Sequence, residues 1–501
     1  MQHFISVDIG TSSIKGCLYN EKLLPIRNYN LEVPSITNSL AHEHDPKLIF
    51  KSFLEVIKYL AKGYHDKISA ISFDTYNHSL ILLDSEEHHL TNVITGMDLR
   101  AGKYMHTWLN QVDAFKVYQE TGCPPLFIYL PARILWLRKE KPELLSKSRK
   151  LLSVKDYIMM QIFGTPYLDY GTASGNGVLD LRLLKYSENV LSSLGISEGE
   201  LGVLVEGKTV LGKIPRKFLD QANISSNDVV LVPSTFDGAA QSFGLGSFFP
   251  KGAVNLGTTA VVRTICEEAR VDADKQMRFF CYYAAGGKFA VGGSSNNGGS
   301  LLSWLKDTIF DLEKTVSTYS GLDVYKLISL QASRAPPGSE GLLFLPYIHG
   351  ERFPFRSPGS AGIIFGLKPN HTKSHIARAA MEGVGFTLKS MCEALSENSL
   401  SLKELLIAGG GSESDVWVQT IADVLGLQTS RTSNAENLSC LGNVLLTYSS
   451  LFSEPLEKIN YKINIRNTYY PNYENFIQYK KSFCTFKALF STLRPFFEER
   501  V

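Results

Sequence analysis

Asp8-Ile9-Gly10-Thr11-Ser12-Ser13-Ile14-Lys15 and Asn255-Leu256-Gly257-Thr258-Thr259-Ala260-Val261-Val262-Arg263 echo each other from opposite halves of a 501-residue chain. Each follows a short apolar run, Phe4 to Val7 or Ala253-Val254, that reads as the end of a strand. Each then turns on a glycine flanked by hydroxyls and finishes near a basic residue. A turn without a Cβ lets backbone N–H groups approach a phosphate closely, and Thr or Ser hydroxyls add donors. Two such loops, one per half, predict a nucleotide clamped between two related domains, and therefore phosphoryl transfer.

The bulk numbers agree with two domains, since 501 residues exceed one comfortable core. The chain is 44% hydrophobic and 20% charged, as a globular protein is. A net charge of +2 gives no basic field, so no nucleic-acid partner is expected. No apolar run approaches the roughly 20 residues that span a bilayer, so no membrane partner is expected. The N-terminus enters the first strand without the pattern of a leader. Seven scattered cysteines without a C-x-x-C pair fit a reducing cytoplasm better than disulfides or a zinc site.

Phe4–Val7, Gly16–Asn20 and Ile26–Asn30 read as strands. Asp45-Pro46 opens a helix to Gly63 with apolar spacing at Leu48, Ile49, Phe53, Val56, Ile57 and Leu60. Strands follow at Ile68–Asp74 and from Ser79 to Leu83. In the second half, Val229–Pro233 is a strand leading to Thr235-Phe236-Asp237-Gly238 and a helix of small residues. Strands at Ala260–Cys266 and Arg278–Ala284, a helix from Lys373 to Leu395, and a strand ending in Gly409-Gly410-Gly411-Ser412 complete an α/β arrangement with mixed sheets. The domain boundary falls near residues 244–250, dividing the chain into 1–245 and 246–501.

Asp8, at the tip of the first strand, can hold Mg²⁺ against nucleotide phosphates, or simply form a turn. Asp237, between strand and helix, can accept a proton from a substrate hydroxyl as that oxygen attacks a γ-phosphoryl group. It can equally cap the helix, and the two roles are compatible. Gly292 to Ser300, dense in glycine and hydroxyls, reads either as a plain loop capping a helix or as an anion-binding helix start. The triplet Gly409-Gly410-Gly411 lets backbone pass close to a ring or a phosphate. Tyr76-Asn77-His78-Ser79 and Asp98-Leu99-Arg100 are polar clusters beside apolar strands. Asp98 and Arg100, two apart, face one side, where they can bind vicinal hydroxyls or merely pair with each other.

Taken in order, these segments resemble the FGGY family of carbohydrate kinases. The series also includes Glu43-His44-Asp45-Pro46, Asp169-Tyr170 with Ala173-Ser174, Leu345-Pro346-Tyr347, Gly350-Glu351-Arg352, Phe365-Gly366-Leu367, Met381-Glu382-Gly383-Val384 and Trp417-Val418-Gln419. The resemblance implies two actin-like, ribonuclease-H-like α/β domains closing around ATP and a sugar. It implies Asp237 as the catalytic base and Asp8 as the Mg²⁺-linked aspartate. The nucleotide-binding set it implies is Gly10, Thr11, Ser12 and Lys15 in the first loop and Gly257, Thr258 and Thr259 in the second. Gly299 and Gly409, Gly410, Gly411 and Ser412 complete that set. Asn77, His78, Asp98 and Arg100, with Asp237, stand where relatives contact substrate. A small-molecule sugar or sugar acid is the partner implied, and a homodimer is an expectation that no motif specifies.

Within the family the chain most resembles the gluconate kinase branch, on His78-Ser79-Leu80, Asn296-Asn297-Gly298-Gly299, Asn370-His371 with His375, Val262-Arg263 and Ser439-Cys440-Leu441-Gly442. A carboxylate-bearing substrate would suit basic partners such as Arg100. The chain departs from that branch at Pro125-Leu126-Phe127-Ile128, where a His-Pro often follows Thr121-Gly122. It departs also at Asn77, where Met usually precedes the His, and at Gly96-Met97, where an aromatic is expected. Glu413 stands where a basic residue often follows the glycine loop. D-gluconate therefore leads, with xylulose, ribulose or another polyol or keto-sugar open. A non-catalytic sugar- or ATP-binding regulator is the competing class, against which Asp237 speaks.

Overall fold

The computed structural model describes residues 2–353, 356–433, 435–461 and 463–499. The N-terminal half is built on a six-stranded sheet of β1 (His3–Ile9), β2 (Ser13–Asn20), β3 (Pro25–Glu32), β4 (Ile68–Thr75), β5 (Gly212–Lys213) and β6 (Val230–Val232). Their spatial order is β5-β6-β4-β1-β2-β3. Helix α1 (Pro46–Ala61) starts where Asp45 accepts from the backbone N–H groups of Lys47 and Leu48, with Pro46 in the first turn. Its apolar stripe of Ile49, Phe53, Val56, Ile57 and Leu60 is buried against β1 and β2. Burying each such side chain contributes about 1.5–3 kcal/mol.

Strand β1 shows how two-residue periodicity places the chemistry. Ile5, Val7 and Ile9 join the core under α1, so Phe4, Ser6 and Asp8 face the other way. On β4, Phe73 joins the same core, and Asp74 lies beside Asp8 in the parallel register.

The second half carries α2 (Asp237–Gly244), β7 (Lys251–Leu256), β8 (Ala260–Cys266), β9 (Phe280–Tyr283), β10 (Phe289–Ser295) and α3 (Gly299–Thr308). It continues with α4 (Lys373–Glu397), β11 (Glu404–Ala408), α5 (Asp415–Leu425), β12 (Gln428–Thr432), α6 (Leu438–Phe452), β13 (Ile465–Tyr469) and α7 (Tyr473–Glu498). Its seven-stranded sheet has the order β9-β10-β8-β7-β11-β12-β13.

Apart from the added edge strand β9, this repeats the first sheet. Strands β1-β2-β3 and β7-β8-β10 are antiparallel meanders, and β4 and β11 then pair parallel to the first strand of each. Strands β6 and β12 extend the parallel part, and β5 and β13 close it antiparallel. The duplication that the sequence shows only in its loops is thus a duplication of strand order and direction.

One expectation is corrected. Gly292-Gly293-Ser294-Ser295, read as the start of a loop, is the end of β10. Its glycines answer close packing, since a Cβ on Gly292 would lie 2.0 Å from the Val262 carbonyl oxygen.

Two helices join the halves. Helix α6, from the C-terminal part of the chain, lies on the face of the first sheet opposite α1, with Cys440 Sγ 3.7 Å from the Ser6 carbonyl oxygen. It crosses α2 so closely that a Cβ on Gly442 would sit 1.8 Å from the Ala240 oxygen, and one on Gly244 2.0 Å from the Leu438 oxygen. Among the described residues no helix is long and apolar enough to cross a membrane.

Candidate active site

Two cavities meet at the second Gly-Thr-Thr loop. The smaller, about 240 Å³, is lined by Thr11, Asn77, His78, Asp237, Thr259, Arg263, Tyr282 and Arg352 among others. The larger, about 1310 Å³, is lined by Gly257, Thr258, Gly299, Gly410 and Gly411, with apolar walls at Leu302, Trp304, Tyr325, Leu330 and Val416. Consecutive residues Thr258 and Thr259 therefore border different chambers, and a group passing between the chambers meets this loop.

Asp237 is the first residue of α2, and its Oδ1 accepts from the Gly238 N–H at 2.7 Å. Burial and the Asp8 charge push its carboxyl up to about 6, against the pull of Arg263. Arg263 also holds Gln241 Oε1 at 3.0 Å, and burial lowers its guanidinium from the usual arginine value.

Asp8 lies on the cleft face of β1. Burial raises its carboxyl, while a hydrogen bond with Asp74 and the Lys15 charge oppose that rise. Among the described residues no three His, Cys, Asp or Glu side chains are grouped to hold a metal ion. Asp8 is on the lining of neither cavity but acts on Asp237 through its charge, and a single carboxylate suits Mg²⁺, which keeps water and phosphate ligands and takes one or two carboxylates from the protein. Lys15 lies opposite Asp8 in the β1–β2 register.

His78 adopts φ 60°, a strained backbone for a residue with a Cβ. Its Nδ1–H donates to the Gly175 carbonyl at 2.7 Å, and burial, then the charges of Arg133 and Arg352, push its pKa down to about 3. The ring is therefore neutral, and Nε2 is left as an acceptor. Beside it, both amide atoms of Asn77 are buried without a hydrogen-bond partner, as are Nε of Arg263 and Nε of Arg352. Unpartnered polar atoms in a cavity wall are open to water or to a polar ligand. Asn77→Leu keeps the shape and removes both polar atoms. Its expected result is a KM for the sugar raised about tenfold with kcat little changed; steady-state kinetics with that sugar checks it.

Several expected site residues stand elsewhere. Asp98 and Arg100 line neither cavity. They pair with each other, Arg100 Nε lying 3.0 Å from both Asp98 oxygens, and Arg100 also binds Glu43 and stacks 4.5 Å from the Trp136 ring centroid. The mutual ion pair, one of the two alternatives open in the sequence, is the arrangement found. Gly299 does border the larger chamber, but the N–H groups of Gly298, Gly299 and Ser300 are spent on the carbonyls of Thr258 and Gly257. They buttress the second loop and leave no free helix-start donors for an anion. The Ser412 hydroxyl is likewise turned back onto the Gly409 carbonyl at 2.6 Å. Gly409 itself has φ 94°, and a Cβ there would lie 2.7 Å from Asn255 Oδ1. Glu413 borders the larger chamber and accepts from Arg466 at 2.9 Å in an exposed ion pair. Gly10 and Ser12 lie in the turn between β1 and β2, with only Thr11 of that loop on a cavity wall.

Tyr282, Arg352 and Arg263 join the smaller cavity without a sequence motif that marks them as part of a pocket. Tyr282 stacks on Phe280 and shares a hydrogen bond with the Tyr129 hydroxyl. Glu351, next to Arg352, accepts from Ser295 Oγ at 2.5 Å, and burial pushes its carboxyl up to about 7.

Models of the FGGY family of carbohydrate kinases match this chain with their N-terminal domain over residues 3–244 and their C-terminal domain over residues 252–451. The chain belongs to the FGGY family of carbohydrate kinases. A gluconokinase of Bacillus subtilis (strain 168) is 32% identical over 449 residues, covering 89% of this chain and 86% of that one. A crystal structure of gluconate kinase from Lactobacillus acidophilus superposes with TM-score 0.92 at 28% identity, covering 99% of each chain. The structure of a ligand-bound xylulose kinase from the same organism follows with TM-score 0.91, also at 28% identity, over 98% of each chain. The FGGY assignment makes this chain a carbohydrate kinase with the actin-like, ribonuclease-H-like fold, one that uses ATP and acts on a small-molecule sugar.

Proposed function

We propose that this FGGY kinase transfers the γ-phosphoryl group of ATP to a terminal hydroxyl of D-gluconate, with Mg²⁺ as the metal. The observation that carries the substrate is the charge balance of the smaller cavity, where two guanidiniums, Arg263 and Arg352, face one carboxylate, Asp237. Arg263 is engaged with Asp237, and Arg352, whose main charged partner is the buried Glu351 carboxyl outside the cavity lining, is the guanidinium that holds a sugar carboxylate. The similarity to gluconokinases supports the same reading.

In this reading Asp237 takes the proton from the substrate hydroxyl as its oxygen attacks phosphorus. Asn77 and neutral His78 orient the hydroxyls of the chain. Thr11 and Thr259 donate to the phosphoryl group from the substrate side, and Gly257 and Thr258 from the nucleotide side. Gly410 and Gly411 let the backbone lie close to the nucleoside. Asp8 holds Mg²⁺, which when bound neutralises charge on the phosphate oxygens. We place the division of the chain at 1–245 and 246–501, where Gly246 with φ 59° turns the chain out of α2. The seven free thiols favour a cytoplasmic location.

Xylulose is the second reading, favoured by the equal identity of the xylulose kinase structure. The departures at Asn77, Gly96-Met97, Leu126 and Ile128 all border the smaller cavity, so they bear directly on this choice. ADP release with ATP and Mg²⁺ is measured against D-gluconate, D-xylulose, D- and L-ribulose, L-fuculose, glycerol and erythritol. Turnover on D-gluconate above all others is expected, and preference for a ketose or polyol would discard the carboxylate role of Arg352.

A further inference from the structure

Asn443 sits in α6, fully buried and outside both cavities. Its amide nevertheless meets three segments of the N-terminal half at once. Nδ2 donates to the Val7 carbonyl at 3.2 Å and to Asp74 Oδ2, and Oδ1 accepts from the Ser234 hydroxyl. Both amide protons and the carbonyl are used, so this network is fully satisfied at its centre.

Each contact lands next to a residue of the proposed chemistry. Val7 precedes Asp8 on β1. Asp74 stands opposite Asp8 in the pairing of β1 with β4. Ser234, in the turn between β6 and α2, lies three residues before Asp237, and its φ of 63° is a strained conformation for a serine. Its N–H donates to the Gly207 carbonyl and its hydroxyl to Asn443, while Lys155 holds the carbonyls of Pro233 and Thr235 on either side.

The two carboxylates thus depend on separate segments tied from outside the sheet by Asn443 of α6 and, at the Asp74 and Ser234 ends, also by the buried Lys155 ammonium, which donates to the Phe73, Pro233 and Thr235 carbonyls; of the two, only Asn443 reaches the Asp8 strand. Helix α6 also crosses α2, whose first residue is Asp237.

We infer that Asn443 is a positioning residue for phosphoryl transfer: its amide fixes the separation of the strand ends that carry Asp8 and Asp237. The inference rests on the roles proposed above for those two carboxylates. Binding of sugar and nucleotide does not need that separation, because Asn443 borders neither cavity, whereas in-line transfer does. Displacements near 1 Å cost about a hundredfold in rate when they misalign reacting groups.

The test compares Asn443→Leu, Asn443→Asp, Ser234→Ala and Asp237→Asn in the full chain, by steady-state kinetics and thermal unfolding. Asn443→Leu is expected to lower kcat about 10- to 100-fold while KM for sugar and for ATP stays within about twofold. Asn443→Asp and Ser234→Ala follow in the same direction with smaller losses. Ser234→Ala removes one hydrogen bond from a chain otherwise intact, and so decides the question if Asn443→Leu does not fold. Wild-type kcat in Ser234→Ala and Asn443→Asp overturns the inference, as does a loss that merely tracks the folded fraction. Full activity in Asp237→Asn would instead remove the base assignment on which it stands. An inactive Asp237→Asn beside fully active Asn443 and Ser234 variants would sink the positioning role alone.

Discussion

Asp237→Asn is expected to leave a folded chain that binds ATP and transfers phosphoryl about a thousandfold more slowly, the middle of the range for loss of a general base. The amide keeps the shape of the side chain and its place at the first turn of α2, so the loss isolates the proton acceptor. The pH profile gives a second, sharper signature. Asp237 acts as a base only when ionised, and its carboxyl is pushed up to about 6 by burial and by Asp8. The wild-type kcat/KM is therefore expected to be flat above that pH and to fall tenfold per unit below it. Arg263 holds the value down, so Arg263→Met moves the acid limb to higher pH. The sign for stability is the reverse of the usual carboxylate case. A carboxyl raised in the fold binds its proton more tightly there than in the unfolded chain, whose value is near 3.8. Its contribution is favourable below that value, is lost as pH rises to about 6, and stays lost at pH 7. Asp237→Asn is accordingly expected to melt no lower than wild type at pH 7, which separates lost chemistry from lost fold. Turnover near the wild-type rate in this variant would end the assignment of Asp237 as base.

How much of this was legible before the fold was known depends on range along the chain. The first Gly-Thr loop, α1 with its Asp45 cap, and the strand before Asp237 were readable because each is fixed by residues within one or two turns of sequence. Gly292 and Gly293 misled for the opposite reason. Glycine read locally signals a loop, but here it answers a neighbouring strand and helix, Val262 and Met391 being the nearest atoms to the missing side chains. Asp98 and Arg100 share a face, as two-residue spacing requires, and that spacing cannot tell a substrate from a mutual ion pair completed by Glu43. Arg352 and Tyr282 escaped notice because each joins the pocket only through tertiary contacts, from chain segments far from Asn77 and His78. Asn443 carried no motif at all. Its three partners lie 209, 369 and 436 residues away, and nothing in its neighbourhood of sequence announces them.

Gly442→Ala tests whether the closeness of α2 and α6 is a requirement or an accident. Taken alone, replacing glycine by alanine in a helix interior favours the helix by about 1 kcal/mol. Here the added Cβ would meet the Ala240 carbonyl oxygen at 1.8 Å and the Ala240 carbonyl carbon at 2.6 Å. Both are backbone atoms, so no rotamer change relieves the contact, and the helices must separate. Forcing a methyl into a packed contact costs about 1–3 kcal/mol, and a backbone clash belongs at the upper end. The clash therefore exceeds the helix gain, and a net loss of about 2 kcal/mol is expected, read as a drop of several degrees in apparent melting temperature. The loss is not confined to stability. Pushing α2 away from α6 moves the helix whose first residue is Asp237 and loosens the seat of Asn443, the residue after Gly442, so kcat is expected to fall with KM for ATP nearly constant. Gly199→Ala is the matched control, because its new methyl meets only Ser197 Oγ at 3.8 Å. A Gly442→Ala chain that melts and turns over like Gly199→Ala would show that the two halves tolerate a wider crossing, and that α6 does not transmit its position to the site.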